Sequence, residues 1–165
     1  MGGSLGSKKL NEIIRQNLDA LNENYQVVHL TGKGLLEKQY SNKEGYTQFE
    51  FVKDDLTDLL AITDTVISRA GSNAIYEFLA LRIPMLLIPL GLDQSRGDQI
   101  DNAKNFESKG FGKTLPEDTL TETQLITQLS EIEANRESIV KQMQTYKESY
   151  TRQDLFNKII NDALN

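Results

Sequence analysis

The sequence predicts an α/β fold in which a parallel β-sheet is flanked by helices. Two observations lead to this prediction. Short apolar runs with the length of buried strands alternate along the 165 residues with stretches whose apolar residues recur at helical spacing. Glycine-bearing turns precede two of the predicted helices, at residues 2–6 and at Gly71. Strands that alternate with helices form parallel βαβ units, and the length of the chain suits one domain.

The first half of the chain opens with an amphipathic helix. It is predicted over residues 7–22, because Leu10, Ile14 and Leu21 fall on one helical face. The other elements predicted in this half are a buried strand over residues 25–30, a short helix over 33–39, a strand over 46–52, and a helix ending near residue 62 that Asp54 or Asp55 caps.

The second half continues the alternation with shorter strands. Its predicted elements are a strand over residues 65–68, a helix over 72–81, a strand over 84–89, a helix over 97–109 and a strand over 111–115. The remainder is predicted to be helical, with breaks at Pro116 and at Tyr150-Thr151. Apolar positions such as Leu125 and Ile132 favour helices packed on one face of the sheet over a separate coiled coil.

Composition argues against several classes of function. The formal net charge is −6, and no basic cluster could follow a nucleic-acid backbone. The chain contains no cysteine, which excludes disulfides, thiolate nucleophiles and cysteine zinc sites. The single histidine, His29, cannot build a site of several histidines, and its apolar neighbours favour an ordinary strand residue. No signal peptide is visible, and the longest apolar stretch, residues 83–92, contains two prolines and is shorter than the roughly 20 residues of a membrane span.

The first candidate binding segment is the turn at residues 2–7, Gly-Gly-Ser-Leu-Gly-Ser. Glycines let backbone N–H groups approach an anion, and the positive end of the following helix points there, so the turn is a candidate cradle for a diphosphate. A flexible chain terminus is the alternative interpretation. Because the turn looks like the connection between a first strand and its helix, we expect the chain to be a piece of a longer protein, cut just after that strand.

The second candidate segment runs from Ser68 to Glu77 and also joins a strand to a helix. Gly71, Ser72 and the amides that follow them form a helix N-terminus at the carboxyl edge of the sheet, where open α/β folds bind ligands. Glu77 lies outside the apolar face of that helix, and a carboxylate there can accept hydrogen bonds from both hydroxyls of a ribose. An ordinary surface glutamate is the alternative.

Two further segments carry polar residues after predicted strands. In the loop that begins at Pro89, Asp98 and Gln99 can hydrogen-bond sugar hydroxyls, although N-capping alone would explain Asp98. At Lys53-Asp54-Asp55 the two carboxylates could hold a divalent ion beside a phosphate. Helix capping also explains this pair, so we expect no metal site and no cofactor.

Four segments together resemble one family. They are Gly-Gly-Ser-Leu-Gly, Ser-Arg-Ala-Gly-Ser-Asn-Ala-Ile-Tyr-Glu, Ile-Pro-Met-Leu-Leu-Ile-Pro-Leu and Gly-Asp-Gln-Ile-Asp-Asn-Ala. Their order and spacing resemble the C-terminal, donor-binding half of the peptidoglycan GlcNAc transferases (the MurG family, glycosyltransferase family 28) over essentially the whole chain. The resemblance implies a Rossmann-like three-layer αβα sheet, the C-terminal domain of the GT-B arrangement, with its first strand missing. It also implies that residues 151–165 form a helix that packs on the missing N-terminal domain.

The resemblance implies a UDP-GlcNAc site within residues 1–165. Gly3 and Ser4 would lie beside the diphosphate, the backbone at Lys53 would contact the uracil with Leu56 packed nearby, and Glu77 would hold the ribose. The remaining implied contacts are amides of Ser72, Asn73 and Ala74 near the phosphates, and Gln99 at the GlcNAc hydroxyls. Asp98 departs from the family pattern, in which Gln or His is expected, so its contact with the sugar is the least supported.

The resemblance further implies the reaction and its partners. The full-length enzyme would transfer GlcNAc with inversion to undecaprenyl-diphospho-MurNAc-pentapeptide (lipid I), forming lipid II in peptidoglycan synthesis, as a peripheral protein on the cytoplasmic face of the bacterial membrane. No residue of this chain is a good candidate for the general base, so the chain alone is expected to be inactive, soluble and prone to self-association. The alternatives are the donor domain of another UDP-sugar GT-B enzyme or epimerase, and a non-catalytic nucleotide-binding or helical interaction module.

Overall fold

The computed structural model describes residues 1–2, 7–52, 55–92 and 94–146. Several sequence predictions lie outside the described residues: the roles of Gly3, Ser4, Lys53 and Asp54, and the helix over 151–165 with the break before it. The described part confirms the predicted alternation of strands and helices.

The helix predicted over residues 7–22 is two helices, α1 (Lys8–Gln16) and α2 (Leu18–Asn22), so the prediction of one helix was wrong. They are separated at Asn17, whose φ is −105° and whose ψ is 12°. The side-chain amide of Asn17 donates to the carbonyl oxygen of Ile13 at 2.7 Å, a local bond that competes with the helical backbone. A periodic apolar pattern continues across this break and does not reveal it.

The strands and helices after α2 follow the predicted order with shorter bounds. They are β1 (Val27–Leu30), β2 (Tyr46–Phe49), α3 (Leu56–Ala61), β3 (Val66–Ser68), α4 (Ser72–Leu81), β4 (Met85–Leu87), α5 (Asp98–Ser108), β5 (Gly112–Thr114), α6 (Glu122–Ala134) and α7 (Arg136–Thr145). The helix predicted over 33–39 is only a 3-10 turn, Lys38–Tyr40. The predicted break at Pro116 is confirmed, because a 3-10 turn and a capping box at Thr121 separate β5 from α6.

The strands form two parallel ladders. β1 pairs with β2, and β4 lies between β3 and β5. The main chain of Met1 pairs with β3: its amino group donates to the Ile67 carbonyl oxygen at 2.6 Å, and its carbonyl oxygen accepts from the Arg69 amide at 3.2 Å. The same amino group is a cause, after burial, of the lowered pKa of His29 on β1. The hydrogen bonds place Met1 on the edge of β3 that faces away from β4.

One apolar core joins both ladders to their helices. Leu10 and Leu21 come from the first two helices, Phe78 from α4, and Leu86 from the middle of the three-stranded ladder; each is at most 1% exposed. Leu125 and Ile132 of α6 are fully buried, which confirms that this helix packs on the sheet. The core holds the strands in one orientation, so their carboxyl ends open toward a common edge.

His29 is a buried strand residue, as its neighbours predict. Asn11 donates its side-chain amide to the Thr31 carbonyl oxygen, so its own oxygen faces His29 and accepts from Nε2 at 2.9 Å. The Nδ1 atom of His29 must then accept from the Tyr46 hydroxyl at 2.8 Å. Burial, with smaller contributions from the Met1 amino group and Arg15, lowers the pKa of His29 to about 3. The imidazole is therefore neutral and structural.

Candidate functional site

The candidate site lies at the carboxyl edge of the sheet, where three helices begin. α1 starts after Ser7, α4 starts after Gly71 and α5 starts after Gly97. In open parallel α/β sheets, ligands bind at this edge. The topology therefore brings the predicted segments to one edge.

The N-terminus of α4 is open. Gly71 is its N-cap residue with φ −70° and ψ 133°, and it contributes no side chain that could accept a hydrogen bond from the first turn. Ile75 is the first residue whose amide bonds back within the helix, to the Gly71 carbonyl oxygen at 3.1 Å. Within the described part of the chain, the amides of Ser72, Asn73 and Ala74 are left for a ligand or water. Amides in this arrangement bind anions.

Glu77 lies on the solvent face of α4, on the same side as Asn73. The two residues are four apart, so their side chains are neighbours on the helix, and both are exposed. Side chains on a helix lean toward its N-terminus, which directs the Glu77 carboxylate along the face that carries Asn73. The structure thus brings a candidate hydroxyl acceptor to the same end of the helix as the open amides.

Gln99 braces the loop that follows β4. Its side-chain oxygen accepts from the Leu90 amide at 3.1 Å, which leaves its NH₂ group facing away from that bond. The N-capping explanation of Asp98 was wrong: Gly97, with φ 95°, is the N-cap, and Asp98 is the exposed first residue of α5 without a side-chain cap bond. A positive φ suits glycine, which explains why the cap lies one residue earlier.

The segment before α3 matches its prediction only in part. Asp55 stands at the N-cap position, but its side chain makes no cap bond, and only its carbonyl oxygen accepts from Leu59, at 2.9 Å. Leu56 is half-buried and packs against the core. No group of three or more acidic or histidine residues suited to a metal ion occurs among the described residues.

Arg69 is a functional candidate that the sequence analysis did not single out. Its guanidinium is 5% exposed and lies at the carboxyl end of β3. Nη1 donates to the carbonyl oxygens of Ile88 and Pro89 at 3.1 and 3.4 Å, and Nη2 donates to the Ser7 hydroxyl oxygen at 2.7 Å and to Glu117. One buried side chain therefore joins the turns that precede α1, α4 and α5.

An open polar cavity of about 540 Å³ lies elsewhere, near the amino ends of β1 and β2. Some of its polar groups are engaged: Lys43 pairs with Asp19, and the Asn22 amide donates to the Glu44 carbonyl oxygen at 2.8 Å. The Asn22 side-chain oxygen has no hydrogen-bond partner among the described residues. It brings together none of the candidate residues.

A family model described as the glycosyltransferase family 28 C-terminal domain matches residues 1–159. The chain belongs to glycosyltransferase family 28. This membership confirms the resemblance found in the four sequence segments.

Curated relatives within family 28 support the same conclusion. The chain is 83% identical over 164 residues to a Staphylococcus saprophyticus protein, and 68% identical over 165 residues to one from Staphylococcus aureus strain JH9. Both are named UDP-N-acetylglucosamine--N-acetylmuramyl-(pentapeptide) pyrophosphoryl-undecaprenol N-acetylglucosamine transferase. The matches cover 99% and 100% of this chain and 46% of each relative. The chain therefore spans about half the length of these family 28 proteins.

Solved structures agree on the fold. A crystal structure of MurG from Acinetobacter baumannii superposes with a TM-score of 0.71 at 25% identity, covering 87% of this chain and 42% of that one. The glycosyltransferase of kitacinnamycin superposes with a TM-score of 0.72 at 19% identity, covering 88% of this chain and 37% of that one, which shows the fold alone. The Rossmann-like GT-B C-terminal fold predicted for this family 28 chain is confirmed.

Proposed function

We propose that this chain is the donor-binding domain of an inverting GlcNAc transferase, and that it binds UDP-GlcNAc at the carboxyl edge of its sheet. The observation that carries the proposal is the open N-terminus of α4, whose free amides lie on the same helix end as Asn73 and Glu77. A nucleotide carries both an anionic phosphate, which amides bind, and a ribose with hydroxyls, which a carboxylate binds. The names of the family 28 relatives supply the sugar and the acceptor class.

Each candidate residue has a role in this proposal. The amides of Ser72, Asn73 and Ala74 bind the diphosphate together with the turn at Gly3 and Ser4, while Glu77 accepts hydrogen bonds from the ribose hydroxyls. The backbone at Lys53 contacts the uracil edge, and Leu56 packs beside the base. The free NH₂ group of Gln99 and the exposed carboxylate of Asp98 face the sugar hydroxyls.

The chemistry follows from the placement of these groups. A muramyl hydroxyl oxygen of the acceptor forms a bond to the anomeric carbon while the bond from that carbon to the diphosphate oxygen breaks, and the hydroxyl proton passes to a general base. The leaving UDP gains negative charge in the transition state. Fixed amides at helix N-termini stabilise that charge without reorganisation.

The acceptor and the general base belong, in this proposal, to the part of the longer relatives that this chain does not cover. The acceptor is undecaprenyl-diphospho-MurNAc-pentapeptide, and the full-length enzyme works as a peripheral protein on the cytoplasmic face of the membrane. In the described residues, no helix is long and apolar enough to cross a bilayer. Purified chain given lipid I and UDP-GlcNAc is expected to form no lipid II, and turnover above the blank would overturn the assignment of the base.

We also propose that the isolated chain associates with itself through strand edges. Among the described strands, β1 pairs on one side only, with β2, and Val28 on β1 is 45% exposed. Unpaired strand edges with apolar side chains are templates for pairing with another chain. Sedimentation over a range of concentrations tests this proposal, and a monomer at all concentrations would refute it.

Calorimetric titration with three donor nucleotides tests the proposed function. We expect UDP-GlcNAc to bind, and UDP-GalNAc to bind more weakly because its 4-hydroxyl points the other way from the proposed contacts at Asp98 and Gln99. We also expect weaker binding of UDP-glucose, which lacks the acetamido group. Tighter binding of another UDP-sugar would favour a different GT-B transferase or an epimerase. Failure to bind any of the three would favour a non-catalytic module.

A further inference from the structure

We propose that Arg69 is a positioning residue that sets the distance between the two anion-binding helix N-termini, α1 and α4, by clamping Ser7 to the turn before α4. The inference rests on the proposed function, because it assigns a role within the diphosphate site. It concerns affinity for the phosphates of the ligand, and it assigns Arg69 no contact with the ligand.

The guanidinium of Arg69 is built into the fold as a cross-link. Its side chain is 5% exposed, and that of its partner Glu117 is 2% exposed. Burying a charged pair costs several kcal/mol, which good geometry and further hydrogen bonds must offset. Arg69 makes such bonds to Ile88, Pro89 and Ser7 as well as to Glu117. Only a planar fork of donors can reach four acceptors on separate segments at once.

Ser7 is the point at which the clamp reaches α1. Its hydroxyl oxygen accepts from the Leu10 amide at 3.3 Å as the N-cap of the helix, and it also accepts from Arg69. In the chain, Ser7 directly follows residues 3–6, the segment to which the proposed function assigns the diphosphate contacts of Gly3 and Ser4.

Glu117 holds the same helix from a second side. One of its carboxylate oxygens accepts from Arg69, and the other lies 3.3 Å from Nζ of Lys9 in the first turn of α1. That second contact is an ion-pair distance without a directed hydrogen bond, since the oxygen has no hydrogen-bond partner among the described residues. The first turn of α1 is thus tied to β3 through both Ser7 and Lys9.

Arg69 also stands two residues before Gly71, the N-cap of α4. The clamp therefore runs from one helix N-terminus to the other through a single side chain. A diphosphate held between both termini needs them at a fixed separation, because hydrogen bonds to phosphate oxygens are short and directional. A nucleoside without phosphates has no such requirement, which gives the inference a specific readout.

The test compares UDP with uridine on three variants and two controls, using calorimetry for UDP and chemical-shift titration for uridine. Arg69→Lys keeps the charge and loses the fork, so it isolates geometry from electrostatics. We expect it to weaken UDP binding about tenfold, which corresponds to the loss of one hydrogen bond between a displaced helix amide and a charged phosphate oxygen. Uridine binding is expected to weaken less than about twofold. Ser7→Ala is expected to act in the same direction, and the double variant to fall short of the product of the two single effects, because both break one link.

Two matched controls separate positioning from general loss of stability. Arg15→Lys weakens another buried arginine, which pairs with Glu37 roughly 12 Å further along α1. Asn135→Ala removes a side-chain bond to the Glu131 carbonyl oxygen at 2.8 Å, at the junction of α6 and α7. Both controls are expected to lower the melting temperature and to leave the ratio of UDP to uridine affinity unchanged.

The outcomes are distinguishable. If UDP binds and its affinity relative to uridine is unchanged in both Arg69→Lys and Ser7→Ala, the inference is wrong and the proposed function stands. If the controls change the ratio as much as Arg69→Lys, the effect is loss of stability and the inference is also wrong. If the unaltered chain binds no UDP, both proposals fail. Should Arg69→Lys not fold, the comparison of Ser7→Ala with Asn135→Ala decides the question.

Discussion

The Tyr46 hydroxyl donates to Nδ1 of His29 at 2.8 Å, and this bond joins β2 to β1 beneath α1. Because Nε2 of His29 already donates to Asn11, a second proton would have to bind at Nδ1, and the Tyr46 hydroxyl would have to turn from donor to acceptor. Burial lowers the pKa of His29 to about 3, against an ordinary value of about 6.5. The folded chain therefore stays unprotonated at His29 at pH values where the unfolded chain takes up a proton.

Stability is consequently predicted to fall with pH below about 6.5, by up to roughly 1.4 kcal/mol per pH unit from His29 alone. The contribution is fully present above that value and is lost progressively as pH falls toward the folded pKa. The buried amino group of Met1, whose pKa is lowered to about 5, adds a contribution of the same sign between pH 7 and 5. The difference in slope between the unaltered chain and His29→Gln, in urea unfolding over this range, therefore measures the His29 contribution. His29→Gln should reduce the slope, and an equally steep dependence in the variant would contradict the assignment.

Gly112→Ala is predicted to destabilise the fold by about 3 kcal/mol. A Cβ atom at Gly112 would lie 1.8 Å from the carbonyl oxygen of Met85, a backbone atom of β4 that cannot move without breaking the β4–β5 ladder. Gly71→Ala is the control for stability, because a Cβ there meets nothing within 4 Å. Similar midpoints in urea for the two variants would show that the ladder adapts to the methyl group.

Glu77→Ala is predicted to weaken UDP binding by roughly 1–3 kcal/mol, the cost of losing hydrogen bonds to a charged acceptor. Glu133→Ala is the matched control, since Glu133 is also an exposed helical glutamate and lies on α6. Calorimetry with UDP compares the two. If both variants bind UDP as the unaltered chain does, Glu77 is an ordinary surface residue.

Removal of divalent metal is predicted to leave nucleotide binding unchanged. The proposed transition-state charge is stabilised by helix amides, which need no ion. Titration with UDP in EDTA, and again with added Mg²⁺ or Mn²⁺, checks this. A large loss of affinity in EDTA that either ion restores would revive the hypothesis of a metal at Asp54 and Asp55.

A longer chain with about eight further residues before Gly2 is predicted to melt at a higher temperature and to bind UDP more tightly. Met1 already pairs with Ile67 and Arg69 in the manner of a parallel strand, so preceding residues can extend that pairing between β3 and β1. The longer chain should also be less prone to associate, because the strand edges would be covered. Equal melting points and affinities for the two chains would show that the sheet gains nothing from this strand.

The sequence by itself determined the order of elements and the position of the open helix N-terminus. α4 occupies residues 72–81 as predicted, because Gly71 marks its start and the apolar face of the helix marks its length. Such signals are local: a turn residue and a periodic pattern lie within a few positions of the element they define. The family could be predicted from four short segments for the same reason, because each segment is a contiguous run of residues that can be recognised without the fold.

Only the tertiary structure decided which polar side chains act together. Arg69 meets Glu117 across 48 positions and Ser7 across 62 positions of the chain, so no spacing in the sequence signals the clamp. Asn17 divides the first helix through a side-chain bond that competes with the helical pattern, and Gly97 displaces the cap expected at Asp98 through its positive φ. In each case the geometry of the folded backbone selects among partners that the sequence leaves equally available.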